Sequence, residues 1–230
     1  MERYSRNFNT LSLEEQKRLW ASRVCIVGLG GLGGAVTEML ARIGVGHLTL
    51  VDGDKFDITN LNRQLLATEV TINESKAETA SKRVRAINSN VLINCCGKAM
   101  TRENSSDILD GIHAAVDCLD NIEDRFMLQE AGAQAGIPVI SGAIAGTSGQ
   151  VTVIYPGDRG FESLYGKREQ GDVGKGVEEH LGNLSFCAFF VASVQASETV
   201  KVLLNRGDIL RNRLFIADLM NNVFDVMTLQ

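Results

Sequence analysis

Apolar residues in this 230-residue chain fall in short runs that end on glycine or aspartate, separated by stretches in which they recur every three or four positions. Ser12-Leu13-Glu14-Glu15 has the spacing of a capping box, which predicts a helix to about Ala21. "RVCIVG" (23–28) reads as a buried strand, "GLGGAVTEMLARIG" (31–44) as a helix and "HLTLVD" (47–52) as a second strand, together a β-α-β unit. The alternation continues with a helix over 73–88, strands over 91–97, 113–119 and 137–143, a short helix near 103–110 and a longer one over 121–135. This pattern predicts an α/β fold with a doubly wound, Rossmann-like, mostly parallel sheet. Its sites belong at the carboxyl ends of the strands, near Gly28, Asp52, Asp120 and Ser141.

Past Gly142 the pattern changes. "GQVTVIYPG" (149–157) has the look of an antiparallel strand, and the glycine-rich, charged stretch 158–182 reads as a long mobile loop. A long apolar helix over 183–205 and a pair of strands within 214–229 complete an antiparallel C-terminal extension. One domain over 1–230 is the simplest organisation: an arm and helix over 1–22, a core over 23–143 and the extension over 144–230.

Composition narrows the function classes. The net charge of −5 argues against a general nucleic-acid binder, which needs a basic face. The N-terminus carries no apolar signal region, and no uninterrupted apolar run reaches about 18 residues, so no membrane span is expected. The five cysteines, Cys25, Cys95, Cys96, Cys118 and Cys187, form no C-x-x-C pair. Their odd number fits a reducing, cytoplasmic setting, and most sit in apolar runs as buried thiols. His47 and His113 each begin a strand and read as structural, so a transition-metal site is not expected.

The chemistry concentrates at the predicted strand ends. Gly28, Gly30, Gly31 and Gly33 form a turn that lets backbone approach a phosphate and opens a helix whose free N–H groups attract anions. No Gly-Lys-Ser/Thr follows, so it is not a Walker loop. Asp52, about 20 residues on, has the position of a ribose-binding carboxylate. Asp54 reads equally as a second such ligand or as a solvated loop carboxylate. Arg63 and Lys76 leave the same end of the sheet; as surface charges they would be unremarked, but a fork and a point charge there suit a triphosphate. Asn60 and Gln64 add uncharged hydrogen-bonding groups. In "VDCLDN" (116–121), Asp117 and Asp120 bracket a strand end and Asn121 can cap the next helix. A carboxylate facing polyphosphate requires a hard cation such as Mg2+ between them; the other reading makes Asp120 a plain cap.

Taken together, "RVCIVGLGGLGG", "LTLVDGD", "NLNRQ", "SKAE", "DCLDN" and "SGAIAGTSGQVTV", in that order, resemble the MoeB/ThiF/HesA family, the bacterial relatives of ubiquitin-activating enzymes. The resemblance runs from about Arg3 to Gln195. It implies an Mg-ATP-dependent adenylyltransferase acting on the C-terminal glycine of a ubiquitin-like sulfur carrier (ThiS- or MoaD-like) that ends in Gly-Gly. It implies that Asp52 holds the ribose, that Asn60, Arg63, Gln64 and Lys76 contact the triphosphate, and that Asp120 binds Mg2+. It further implies a homodimer in which Arg6 reaches into the partner's site.

Two departures from the family pattern stand out. Phe161 and Leu164 occupy the place of the first C-x-x-C pair, and "DVMTLQ" lacks the second, so no zinc is expected; Phe161, Leu164 and Tyr165 are expected to pack instead. Gly176 stands where some relatives carry a loop cysteine, so adenylation without a covalent link to Cys187 is expected. Three other readings remain at this level. One changes the acceptor to a carboxylate on a tRNA base or a peptide. Another is a degenerate carrier-binding module. The last is an NAD-dependent dehydrogenase, which fits the glycine turn and Asp52 but not Arg63, Lys76 and Asp120.

Overall fold

The computed structural model describes residues 2–166 and 181–229. Eight strands form one sheet: β1 (Arg23–Val27), β2 (His47–Val51), β3 (Leu92–Cys96), β4 (Ala114–Asp117), β5 (Val139–Ala145), β6 (Ser148–Ile154), β7 (Arg213–Asp218) and β8 (Val223–Thr228). Their order is β3-β2-β1-β4-β5-β6-β7-β8. The first five are parallel, and pairing turns antiparallel from β5 to β8. This is the doubly wound sheet with an antiparallel extension that the alternation predicts. The chain winds outward from β1 in both directions, so a crevice opens between the ends of β1 and β4.

Period-2 alternation sends β1 side chains to two cores. Val24 and Ile26 join the larger one, with Leu40 of α2 (Gly31–Ile43), Val84 of α3 (Lys76–Ile87) and Val191 of α7 (Ser185–Leu204). Cys25 and Val27 face the smaller one, with Leu109 of α4 (Ser105–Leu109) and Leu128 of α5 (Ile122–Ala135). Both faces of the inner strands β1, β2 and β4 are therefore covered, which is why they read as continuous apolar runs, whereas the edge strand β3 is largely exposed.

The capping box forms as the spacing predicts: at the start of α1 (Leu13–Ala21), Glu15 N–H donates to Ser12 Oγ at 3.2 Å, and Ser12 N–H donates to Glu15 Oε2 at 2.7 Å. Other boundaries move. The helix expected from 73 starts at Lys76, because Asn73 has φ of 67° and Ser75 is the cap. The strand expected to 157 ends at Ile154, where Tyr155 to Asp158 close a turn. Residues 158–166 of the stretch read as a loop contain a short helix, α6 (Phe161–Tyr165); 167–180, Gly176 among them, lie outside the described residues. α7 is the long apolar helix expected over 183–205; by length and composition alone this 20-residue helix could cross a membrane, although Gln195 and Glu198 interrupt its apolar run. Here half of it is buried, and both side chains are hydrogen-bonded within the protein: Gln195 Nε2 donates to Asp117 O at 2.8 Å, and Glu198 Oε2 accepts from Leu210 N–H at 2.9 Å.

Apolar packing fills the place where the family pattern puts sulfurs, as the sequence suggested. Phe161 is 1% exposed. Its ring lies 5.6 Å from Phe126 and 6.0 Å from Tyr165, and Leu164 packs beside them. Truncating Phe161 to Ala should cost about 3 kcal/mol of unfolding free energy in urea titrations, and Tyr165→Ala, half-exposed, clearly less. Equal small losses would show that this cluster does not anchor the extension.

Candidate active site

The glycine turn joins β1 to α2 in the crevice. Gly28 has φ of 87°, and a β-carbon at Gly33 would lie 1.8 Å from Gly28 O. Only glycine lets the helix come this close to the strand. α2 thus begins directly above the crevice, and no side chain caps it at Gly30. A cavity of about 570 Å³ lies there, lined by Gly28, Gly30 and Gly31. Gly33 is not in its lining; its part is the close packing of helix on strand.

Asp52 ends β2 and is 9% exposed. Its Oδ2 accepts from Leu29 N–H at 2.7 Å and its Oδ1 from Asp54 N–H at 2.8 Å. The carboxylate ties the glycine turn to the next loop while still lining the cavity. Asp54, largely exposed, pairs with Lys76: Nζ donates to Oδ2 at 3.1 Å. Lys76 is buried, as the first residue of α3, and its ammonium lines the cavity. Arg63 lines the same cavity. Its Nη1 donates to Thr59 O at 3.1 Å and to Asn62 Oδ1 at 2.9 Å, and among the described residues no carboxylate pairs with it. A guanidinium left without an anion is what an anionic ligand requires. Gln64 is buried beside Gly30, and its Oε1 has no partner among the described residues. Asn60 does not line the cavity; its Oδ1 accepts from Asp57 N–H at 3.1 Å and closes the short turn that carries Arg63 and Gln64.

The end of β4 supplies the third wall. Asn121, not Asp120, caps α5: Asp124 N–H donates to Asn121 Oδ1 at 2.8 Å, and Asn121 Nδ2 donates to Asp124 Oδ2 at 2.7 Å. Asp120 is therefore spared that task and stands exposed at the cavity. Asp117 is wholly buried and faces away. Its Oδ2 accepts from Arg125 Nη1 at 2.8 Å and from Ser141 Oγ at 2.6 Å. Asp124, Arg125, Asn183 and Ile144 also reach the cavity, and the sequence reading did not single them out. The Asn121-x-x-Asp124 spacing is a capping signal that could have found Asp124. Nothing local marks Arg125, which reads as an ordinary helix-surface arginine.

Arg6 is the remaining predicted site residue, and it lies elsewhere. Its arm packs at the amino ends of the strands: Tyr4 Oη accepts from Asn88 Nδ2 at 2.8 Å, and Asn7 Nδ2 donates to Ile43 O at 3.3 Å. Arg6 is exposed there and does not line its own cavity. Cys118 and Cys187 are unsuited to attack. Burial pushes Cys118 up, with the Asp117 carboxylate adding to it, and burial pushes Cys187 up likewise. Cys187 is 1% exposed, with its thiol against Ser148 O.

The donor set fits Mg-ATP. A glycine cradle under a helix N-terminus and two cations suit phosphates. The unpaired Gln64 acceptor suits a hydroxyl or amino donor of a nucleoside, and the oxygens of Asp120 suit a hard cation.

Comparison with known proteins agrees. The ThiF family model matches residues 4–230. The chain is 33% identical over 230 residues to the SAMP-activating enzyme E1 of Haloferax volcanii, covering 99% of this chain and 84% of that one. It is also 33% identical over 236 residues to the molybdopterin-synthase adenylyltransferase of Salmonella typhimurium, covering 100% and 92% respectively. The crystal structure of E. coli MccB with ATP shares the fold, with a TM-score of 0.80 and 21% identity over 99% of this chain and 70% of that one. A glycine turn, a strand-end carboxylate and two cations line one cavity at the switch point, and the family model matches nearly the whole chain: the protein belongs to the ThiF family and is an adenylyltransferase.

Proposed function

We propose that this enzyme uses Mg-ATP to adenylate the C-terminal glycine carboxylate of a ubiquitin-like sulfur carrier ending in Gly-Gly, of ThiS or MoaD type. The observation that carries the proposal is the shared cavity, which brings the glycine turn, Asp52, Arg63, Lys76 and Asp120 together. Relatives named for SAMP and for molybdopterin synthase support a protein acceptor. The nucleotide lies with its ribose toward Asp52 and its phosphates over Gly30 and Gly31. Arg63 and Lys76 neutralise the phosphates, and Lys76 exchanges Asp54 for a phosphate oxygen. A carboxylate oxygen of the carrier forms a bond to the α-phosphorus, the bond to the bridging oxygen breaks, and pyrophosphate leaves. No proton moves, because the nucleophile is already ionised at neutral pH. What the protein supplies is therefore position and positive charge. Asp120 would hold Mg2+, which screens charge on the departing pyrophosphate.

Arg6 enters this scheme through a homodimer. It stands at the end of the sheet remote from its own cavity, so it serves the reaction only in a second copy. The burial of Cys187 supports release of the acyl-adenylate to an outside nucleophile rather than to that thiol.

Four outcomes follow from these assignments. ATP–pyrophosphate exchange should require a Gly-Gly carrier and should vanish when its last glycine is removed; exchange with a short peptide but with no carrier would move the acceptor to the peptide class. Asp120→Ala should lower carrier-dependent exchange about 100-fold at fixed Mg2+, and an unaltered rate would remove Asp120 from the site. Arg6→Ala and Lys76→Ala should each be nearly inactive alone, yet regain about a quarter of wild-type activity when mixed and allowed to exchange subunits, since one site in each hybrid dimer is intact; no recovery despite exchange would contradict the shared site. Maleimide at pH 7 should label exposed Cys95 on the folded protein and spare Cys187 until denaturant is added, because the Cys187 side chain is closed off from solvent; a carrier found covalently on Cys187 would overturn the thiol-free scheme.

A further inference from the structure

Asp120 is exposed, and no hydrogen bond within the described structure holds its side chain. A carboxylate that must meet a cation at a fixed place needs its backbone held instead. The peptides before it are held at nearly every polar atom. Cys118 N–H donates to Val27 O at 2.9 Å. Gln195 Nε2 donates to Asp117 O at 2.8 Å, and Leu119 N–H donates to Asp117 Oδ1 at 3.0 Å. The last carbonyl before Asp120, that of Leu119, accepts from Arg125 Nη2.

Arg125 is the common member of this network. It is 4% exposed and sits one turn into α5. Its Nη1 donates to Asp117 Oδ2 at 2.8 Å, to Ser141 Oγ at 3.2 Å and to Gly142 O at 2.9 Å. One guanidinium thus joins the end of β4, the start of β5 and the Leu119–Asp120 peptide. A lysine could satisfy Asp117 but lacks the planar fork that reaches Leu119 O at the same time. The arrangement exceeds what neutralising the buried Asp117 needs, since the same guanidinium also donates to the carbonyls of Gly142 and Leu119.

We infer that Arg125 is a positioning residue for adenylation: through the Leu119 carbonyl it fixes the backbone of Asp120, and so sets how tightly the enzyme–nucleotide complex holds its divalent cation. The inference rests on the reading of Asp120 as the cation ligand given above.

The test measures Mn2+ affinity by the electron paramagnetic resonance of free Mn2+, on protein saturated with a non-hydrolysable ATP analogue, in wild type, Arg125→Lys, Asp120→Ala and the double variant. Affinity for the analogue without metal is measured in parallel by calorimetry. Arg125→Lys should weaken Mn2+ about tenfold, the scale for loss of a group that orients a metal ligand, with a clearly smaller change in metal-free nucleotide affinity. Asp120→Ala should weaken it at least as much, and Arg125→Lys should add little in the Asp120→Ala background. If Asp120→Ala leaves Mn2+ affinity unaltered, the cation reading fails and the inference with it. If Asp120→Ala weakens Mn2+ while Arg125→Lys does not, or if the two losses are additive, the inference alone fails. Should Arg125→Lys not fold, the doubly neutral Asp117→Asn/Arg125→Gln variant carries the same comparison, since it leaves no buried charge unpaired.

Discussion

A β-carbon at Gly33 would overlap the carbonyl oxygen of Gly28, and that missing atom is the constraint on which the site depends. It lets α2 start against the end of β1, at the one place where the chain leaves the middle of the sheet in both directions. The helix N-terminus, its unpaired N–H groups and its positive end then all face the crevice. Asp52 reinforces the geometry by accepting from Leu29 N–H, so the turn is held by a side chain that itself reaches the cavity.

Around that cradle the charges are sorted by burial. Asp117 and Arg125 are paired inside the protein and hold strand ends and loop together. Breaking such a pair by removing one partner costs about 3–5 kcal/mol, so the network is a strong brace rather than a source of reactivity. Lys76, Arg63 and Asp120 line the cavity without so tight a buried pairing. Lys76 has only the exposed Asp54 as counter-ion, and Arg63 has no carboxylate among the described residues. Two cations so placed favour a polyanion, and the chemistry of joining a carboxylate to a phosphate needs that neutralisation more than it needs an acid or a base.

Much of this was legible in the sequence because the signals are local. The glycine turn, the aspartate closing the second strand and the capping box at Ser12 each depend on residues a few positions apart, and the alternation of periods gave the sheet. What escaped reading depends on distant partners. Arg125 is buried only because Ser141 and Gly142, on a strand 16 to 17 residues further on, meet it. The side chain of Asn60 closes its own turn, a contact its place in the ligand pattern did not announce, since Asx side chains compete for nearby backbone. The start of α3 shifted because the left-handed backbone at Asn73 cannot be helical, a conformation that no pattern of hydrophobicity reports. The apolar cluster of Phe161 and Tyr165 was suggested by the missing sulfurs, and its partner Phe126 came from a helix read without regard to which face it buries.

The claim at the centre is that Arg63 and Lys76, both lining a cavity shared with the glycine turn, receive a triphosphate. A crystal structure of the protein with ATP and Mg2+ tests it most directly. The account predicts phosphate oxygens within about 3 Å of both cationic groups, with the ribose beside Asp52. A nucleotide bound with its phosphates away from Arg63, or with Lys76 still paired to Asp54 and no phosphate near it, would contradict it.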